Sequence, residues 1–384
     1  MSLEHWPDEL FDRMRDLGDP VTDPLIAQVL ADGGPDALAR LNRFLQTWDA
    51  PLSDQVPAGV RAFLAAPLTY PDWVDEAQLA RGQELFRQHA PETLLILFFK
   101  SLPQYFANAN SDLSFARADV FNPSMVRRLL LEITQLLLDV AVFGALRVQP
   151  EKTQAVYAMQ KLRLHHSVVR LWVLPDPRLP PTRELPPWQP EWGAPINQED
   201  LAGAVAAFTV WDLEGLAELG LELPPPDREA TLMYWRVLAW LLGMEERLQP
   251  RDLEDTAALL AAIDRRQFRP SEDGTRLVRQ LLAIPQGFLP SFLDSLPVWA
   301  MRRLMAPRFV VMLRVPRPSF AWGGLLAVLH VVLGKTRLVR QVAKRLGKRF
   351  LLWARTAEGR HGERGRFRFP PEVEERVLGK RRAA

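Results

Sequence analysis

INQEDLAGAVAAFTVWDLEGLAELG, residues 196–220, carries both ends of a helix in its own letters. Asn197 is a short side chain that can accept an amide N–H at a helix start. Glu199 and Asp200 place negative charge at the positive end of the helix dipole, and Gly220 offers the left-handed conformation that ends a helix. Between these ends the apolar residues follow a helical period, not a strand period. The Asn197–Asp200 run is therefore read as a helix start in preference to a catalytic cluster.

The same pattern extends outward. Residues 35–48, 75–89 and 91–106 each present an apolar face at i, i+3, i+4 spacing. Residues 123–144 start behind Asn122 with Pro123 in the first helical position, and 151–174 run up to Pro175, where the missing amide stops a helix. Further helices are predicted at 226–242, 252–265, 274–283, about 297–306, about 318–333 and 337–354. Alternating β-branched runs with Asn-Gly or Asp-Gly turns are missing. Residues 175–195 hold eight prolines in 21 positions, a stiff extended loop. The expectation is an all-α chain with a single helical domain. Residues 1–64 supply N-terminal helices packed on the core, 65–354 form the main domain, and 355–384 form a basic tail.

Composition narrows the chemistry. The 384 residues are 48% apolar and 24% charged, as in ordinary globular proteins, and contain no cysteine. That excludes disulfides, cysteine nucleophiles, iron–sulfur clusters, thiolate-bound haem and cysteine zinc sites. The acidic start, MSLEHWPDELFDRMRD, lacks the basic and apolar regions of a secretory signal, so a cytoplasmic location is expected. Residues 129–146 contain Glu132 and Asp139, and 320–334 are short of the ~20 residues of a membrane span, so both read as buried helices. No phosphate loop, His-Glu-x-x-His pair, nucleophile elbow or calcium loop occurs.

The informative histidines lie in KLRLHHSVVRLW, residues 161–172. At 100° per residue, His166 shares a face with Met159, Leu162, Arg163, Val169, Arg170 and Val173, while His165 points elsewhere. One imidazole in an apolar lining, with a guanidinium one turn on, suits a haem: neutral imidazole binds iron, aliphatic chains pack on the porphyrin, and arginine pairs with a propionate or with bound dioxygen. A hydrogen-bonded core histidine fits the same letters, and on the residues alone it is the simpler reading.

The 161–172 segment, followed by WGAPINQEDLAGAVAAFTVWDLEGLAELG (192–220) and YWRVLAWLLGMEERLQP (234–250), resembles the catalytic domain of the rubber oxygenase (latex clearing protein) family. That family also includes a fungal membrane-bound oxygenase of mycophenolic acid biosynthesis. Residues 71–110 and RRLLLEITQLLLDV (127–140) fit in the same order, so the resemblance spans roughly 65–315. It implies a globin-like helical core holding haem b, with His166 as the proximal iron ligand and Arg170 beside it in a cofactor or catalytic role. It also implies that Thr134, in LEITQ, lies near the haem. The family's arginine four residues before that threonine is replaced by Leu130. Arg127, close to two turns before Thr134, is the candidate to reach the same face. The activity implied is that of a haem-dependent oxygenase using dioxygen on a hydrophobic small molecule. An isoprenoid or lipid-like compound is expected in place of polyisoprene, which is met outside the cell. The alternatives are a haem-binding sensor or carrier without oxygenase activity, and a haem-free helical binding module.

The net charge of +2 hides an asymmetry: beyond Gly334 there are sixteen Lys and Arg against five Asp and Glu, a surplus of +11, which leaves −9 for residues 1–334. A solvated terminal helix and arm explains this run most simply. The alternative is peripheral contact with an anionic membrane; nucleic acid is not an expected partner. Contact of that kind should weaken steeply between low and physiological salt, because exposed charges are screened over ~8–10 Å. A vesicle-sedimentation series over salt checks this, and absence of binding at low salt would end the membrane alternative.

Overall fold

The computed structural model describes residues 6–45, 52–111, 133–142, 144–174, 176–178, 188–286, 291–318 and 345. Among them the chain is all-α, a single helical domain whose only ladder contact is an isolated bridge between Asn108 and Phe268. The predicted cap at Asn122, the helices at 318–333 and 337–354, the tail at 355–384, and positions Arg127 and Leu130 lie outside the described residues.

In chain order the helices are α1 (Asp8–Arg15), α2 (Thr22–Leu45), α3 (Ala58–Ala65), α4 (Glu76–Ile96) and α5 (residues 133–140). They continue with α6 (Gln154–Val173), α7 (Gln198–Glu218), α8 (Pro225–Leu241) and α9 (Leu253–Gln267). The last three are α10 (Glu272–Gln286), α11 (Ser295–Leu304) and α12 (Pro307–Met312). The short α12, which starts on Pro307, has no counterpart among the predicted helices. None of the described helices is long and apolar enough to cross a membrane.

Residues 75–106 differ from expectation. Two helices were predicted around Pro91; instead α4 runs through it and bends at His89 (φ −112°, ψ 18°). Proline lacks the amide for its own i→i−4 bond, so the ladder breaks locally without ending, since both halves still bury Leu85, Phe86, Leu94 and Leu95. A π-helical turn, Leu97–Ser101, and a last turn, Leu102–Tyr105, complete the segment. Helix α2 breaks in the same manner at Gly34 and Pro35.

Helix α7 follows its sequence closely. The Asn197 side chain accepts from the Asp200 amide at 2.9 Å. At the other end Leu221 N–H donates to Leu216 C=O at 2.8 Å, with Gly220 at φ 77°. Around α7 the largest core cluster joins residues of α1, α4, α5, the first half of α6, and α8 to α12. A second cluster joins Ile26, Val29 and Leu30 of α2 and Val60 and Leu64 of α3 to Leu164 and Val168 of α6. Helix α6 thus belongs to both cores. Helices α4 and α8 touch at Gly82, where any Cβ would overlap the Ala230 carbonyl and come within 2.8 Å of Tyr234 Cβ.

The N-terminal turn of α7 is charged and sealed. Glu199 is fully buried; Arg15 Nη1 and Arg266 Nε each donate to it at 2.9 Å, and Gln267 Nε2 reaches both oxygens at 3.1 Å. These bonds tie α1, α7 and α9 at one point. Removing one partner of a buried ion cluster strands the others, so Glu199→Ala should cost about 3–5 kcal/mol. Urea unfolding measures it, and a loss below ~1 kcal/mol would show that the cluster does not anchor the fold.

Candidate functional site

Helix α6 is placed by its ends. Thr153 caps it, accepting from Val156 N–H and donating to the Ala145 carbonyl; Leu174 leaves it in extended conformation before Pro175. Along one edge, three polar side chains clasp the start of α2. Arg163 pairs with Asp19 through Nε–Oδ2 at 2.5 Å and Nη2–Oδ1 at 2.9 Å. Ser167 Oγ lies 2.7 Å from Thr22 Oγ1. Arg170 Nε donates to Asp23 at 2.8 Å, while Nη1 reaches the Ile196 carbonyl at 2.9 Å and Nη2 the Ser167 hydroxyl at 2.8 Å.

Gln198, next to the cap of α7, closes the joint from the other side. Its amide donates to the carbonyls of Gly18 and Gly243 and accepts from Glu245 N–H. Gly243 is required here twice over. Its φ of 84° is left-handed, and a Cβ would strike the Arg163 guanidinium and sit 2.7 Å from Asp19 Oδ2.

The two histidines separate by partner. His165 Nδ1 lies 2.8 Å from Asn42 Oδ1 on α2, so it is the hydrogen-bonded core histidine. His166 makes no hydrogen bond among the described residues. It keeps some accessible surface, yet burial pulls its pKa down to about 3; the neighbouring Arg170 and His165 act in the same direction, against Asp19. The ring is therefore neutral at physiological pH. Its neighbours one turn either way, Leu162 and Val169, are also half-buried.

Of the sequence-predicted residues, the structure brings His166 and Arg170 together on adjacent turns of α6. The Arg170 guanidinium is bonded to Asp23, Ser167 and the Ile196 carbonyl, and through these bonds it positions α6. Thr134 is buried on α5, whose Leu136, Leu137 and Leu138 share the main core with Met159 of α6. No hydrogen bond joins Thr134 to His166 or Arg170 among the described residues. Arg127 lies outside them. Also on α5, the Asp139 carboxyl is pushed up to about 6 by burial, against a lowering bond from Gln135.

Sequence reasoning missed Asp19, Asp23 and Gln198. The signal was present in GDPVTDP, residues 18–24, where two aspartates flank a helix start. Without a partner in view, these read as ordinary caps. Among the described residues no group of three or more His, Asp or Glu side chains could hold a bare metal ion.

The state of His166 has a measurable consequence. Its folded pKa lies below the unfolded value near 6.5, so the unfolded chain binds the extra proton between about pH 6.5 and 3. Stability therefore rises with pH in that window, by at most ~1.4 kcal/mol per unit from this residue. In the cofactor-free protein, His166→Gln should flatten the slope of unfolding free energy over that window relative to wild type. An unchanged slope would place the ring in water.

Residues 111–356 match the family described as ER-bound oxygenase mpaB/B′ and rubber oxygenase, catalytic domain. A solved structure of latex clearing protein in its closed state superposes with a TM-score of 0.66 at 18% identity, covering 88% of this chain and 91% of that one. At that identity the likeness is one of fold. A comparison with curated protein sequences gives no match. Since the family match takes in well over half of the residues, the chain belongs to the mpaB and rubber oxygenase catalytic-domain family and is an oxidoreductase of the oxygenase type.

Proposed function

We propose that this protein is a haem b-dependent oxygenase that uses dioxygen on a hydrophobic, isoprenoid or lipid-like small molecule. The observation that carries this reading is His166: an imidazole held neutral, without a hydrogen-bond partner among the described residues, on a helix whose two neighbouring arginines are locked in place. The ring is half-buried, and burial is the largest cause of its lowered pKa. A free neutral imidazole nitrogen is the donor that haem iron takes. The residues present therefore fit the group, and His166 would hold it.

When bound, the haem supplies the redox centre at which dioxygen is activated. The chain's own contribution is positional. The Arg163–Asp19 and Arg170–Asp23 pairs fix the rotation of α6 about its axis, so His166 presents one face consistently. Leu162 and Val169 flank the ring with apolar surface, which excludes water and suits an apolar ligand. Thr134 adds a buried hydroxyl on a second helix of the same core. Direct contact of Arg170 or Arg127 with cofactor remains part of the proposal only through the family resemblance. Peripheral contact of the basic run beyond Gly334 with an anionic membrane would place the enzyme near lipid-like substrates.

The test is an absorption spectrum and haem-to-protein ratio on purified variants, with circular dichroism as control for folding. His166→Ala should fold with little or no haem. His165→Ala should keep its haem and lose about 1–2 kcal/mol of stability with the Asn42 bond. A colourless wild type after haem-sufficient expression would favour the haem-free binding module. A red wild type that consumes no dioxygen with any lipid-like compound would favour the sensor or carrier. If His165→Ala alone is colourless, the ligand has been assigned to the wrong face of α6.

A further inference from the structure

Away from α6, a small void lies between the bend of α4, the middle of α7 and the middle of α8. Its lining includes His89, Asp212, Thr231 and Tyr234, set among Leu85 and Phe86. It has about 10 Å³ of room for the centre of a water molecule, at the lower limit of what one water needs. Asp212 is 5% exposed and Tyr234 1% exposed. Neither Asp212 Oδ1 nor Tyr234 Oη has a hydrogen-bond partner, and Asp212 enters no ion pair among the described residues. Two unsatisfied polar groups facing one gap would together cost several kcal/mol if the gap were dry.

The geometry points to a buried water site, in which one water molecule bridges the Asp212 carboxyl and the Tyr234 hydroxyl. Water fits where an ion does not. The lining holds no lysine or arginine, and His89 stands at the half-exposed mouth beside Leu223. Thr231 Oγ1 donates to the Asp227 carbonyl at 2.9 Å, which leaves its lone pairs free to accept. The water then has three protein oxygens to bond, as buried waters typically do. No lysine or arginine lines the void, and burial raises the Asp212 carboxyl well above the usual carboxylate range, in keeping with an acid proton held at this site. The bend of α4 at His89 (φ −112°, ψ 18°) borders the same void as Asp212. The core thereby holds one exchangeable acid proton behind a histidine, in a site separate from the α6 joint.

Infrared spectroscopy of the full chain at pH 8 tests this. Asp139 and Asp200, each raised to about 6, are ionised at that pH. Wild type should show the carbonyl stretch of a protonated carboxylic acid, moving in D₂O because the proton exchanges. Asp212→Asn should abolish the band, and Tyr234→Phe should shift it, since the shared water loses a partner. Should Asp212→Asn fail to fold, carboxyl-¹³C aspartate in the wild type identifies the band by its isotope shift. No acid band at pH 8 would mean an ionised carboxylate with a bound cation and would overturn the proposal. A band at the same frequency in folded Tyr234→Phe would overturn it too, by removing the bridge.

Discussion

Glu199 sits at the point on which the rest of the packing depends. A carboxylate with no exposed surface is tolerable only if its charge and lone pairs are met, and here four hydrogen bonds from Arg15, Arg266 and Gln267 meet them. Those donors come from α1 and α9, which are far apart in the sequence. The cluster therefore specifies which helix lies against which, a task that leucines and valines, being interchangeable at similar volume, perform less selectively. Its neighbour Asp200 extends the cluster: Asn197 and Asn108 donate to its side chain and Tyr105 to its carbonyl. Burial first, then the nearby Glu199, raises the Asp200 carboxyl to about 6 against the lowering by Arg15.

The candidate site inherits its precision from this anchor. Gln198 precedes Glu199, and its amide holds Gly18 and Gly243 by their carbonyls. Gly18 leads into Asp19 and Asp23, which hold Arg163 and Arg170. A shift at the start of α7 would thus pass through two glycine contacts to the rotation of α6, and so to the face on which His166 lies. Three polar pairs, Arg163–Asp19, Ser167–Thr22 and Arg170–Asp23, align one helix that already buries apolar residues in two cores. Apolar packing alone fixes a helix's distance and approximate roll; directional bonds fix the roll to within a hydrogen-bond geometry.

Local signals made the helices legible in the sequence. Asn197 caps α7 and Gly220 ends it, both as the sequence suggests. The bend at His89 was less legible, because Pro91 breaks one bond but not the burial on either side of it. At the site, the 3.6-residue period correctly separated His165 from His166. It could not say that Arg170 would be consumed by Asp23, because that bond spans 147 positions of sequence. Periodicity reports which face a residue occupies; which distant helix covers that face is decided by tertiary packing.

The histidine pair shows the same limit. His165 finds Asn42 and behaves as a core histidine, bonded and facing a packed helix. His166, one residue on, is half-buried and makes no hydrogen bond among the described residues. Asp19 is near enough to influence His166 electrostatically. Yet both oxygens of Asp19 are turned to Arg163 and to the amides of Val21 and Thr22. Asp19 is thus used to hold α6 still and not to pair with the imidazole.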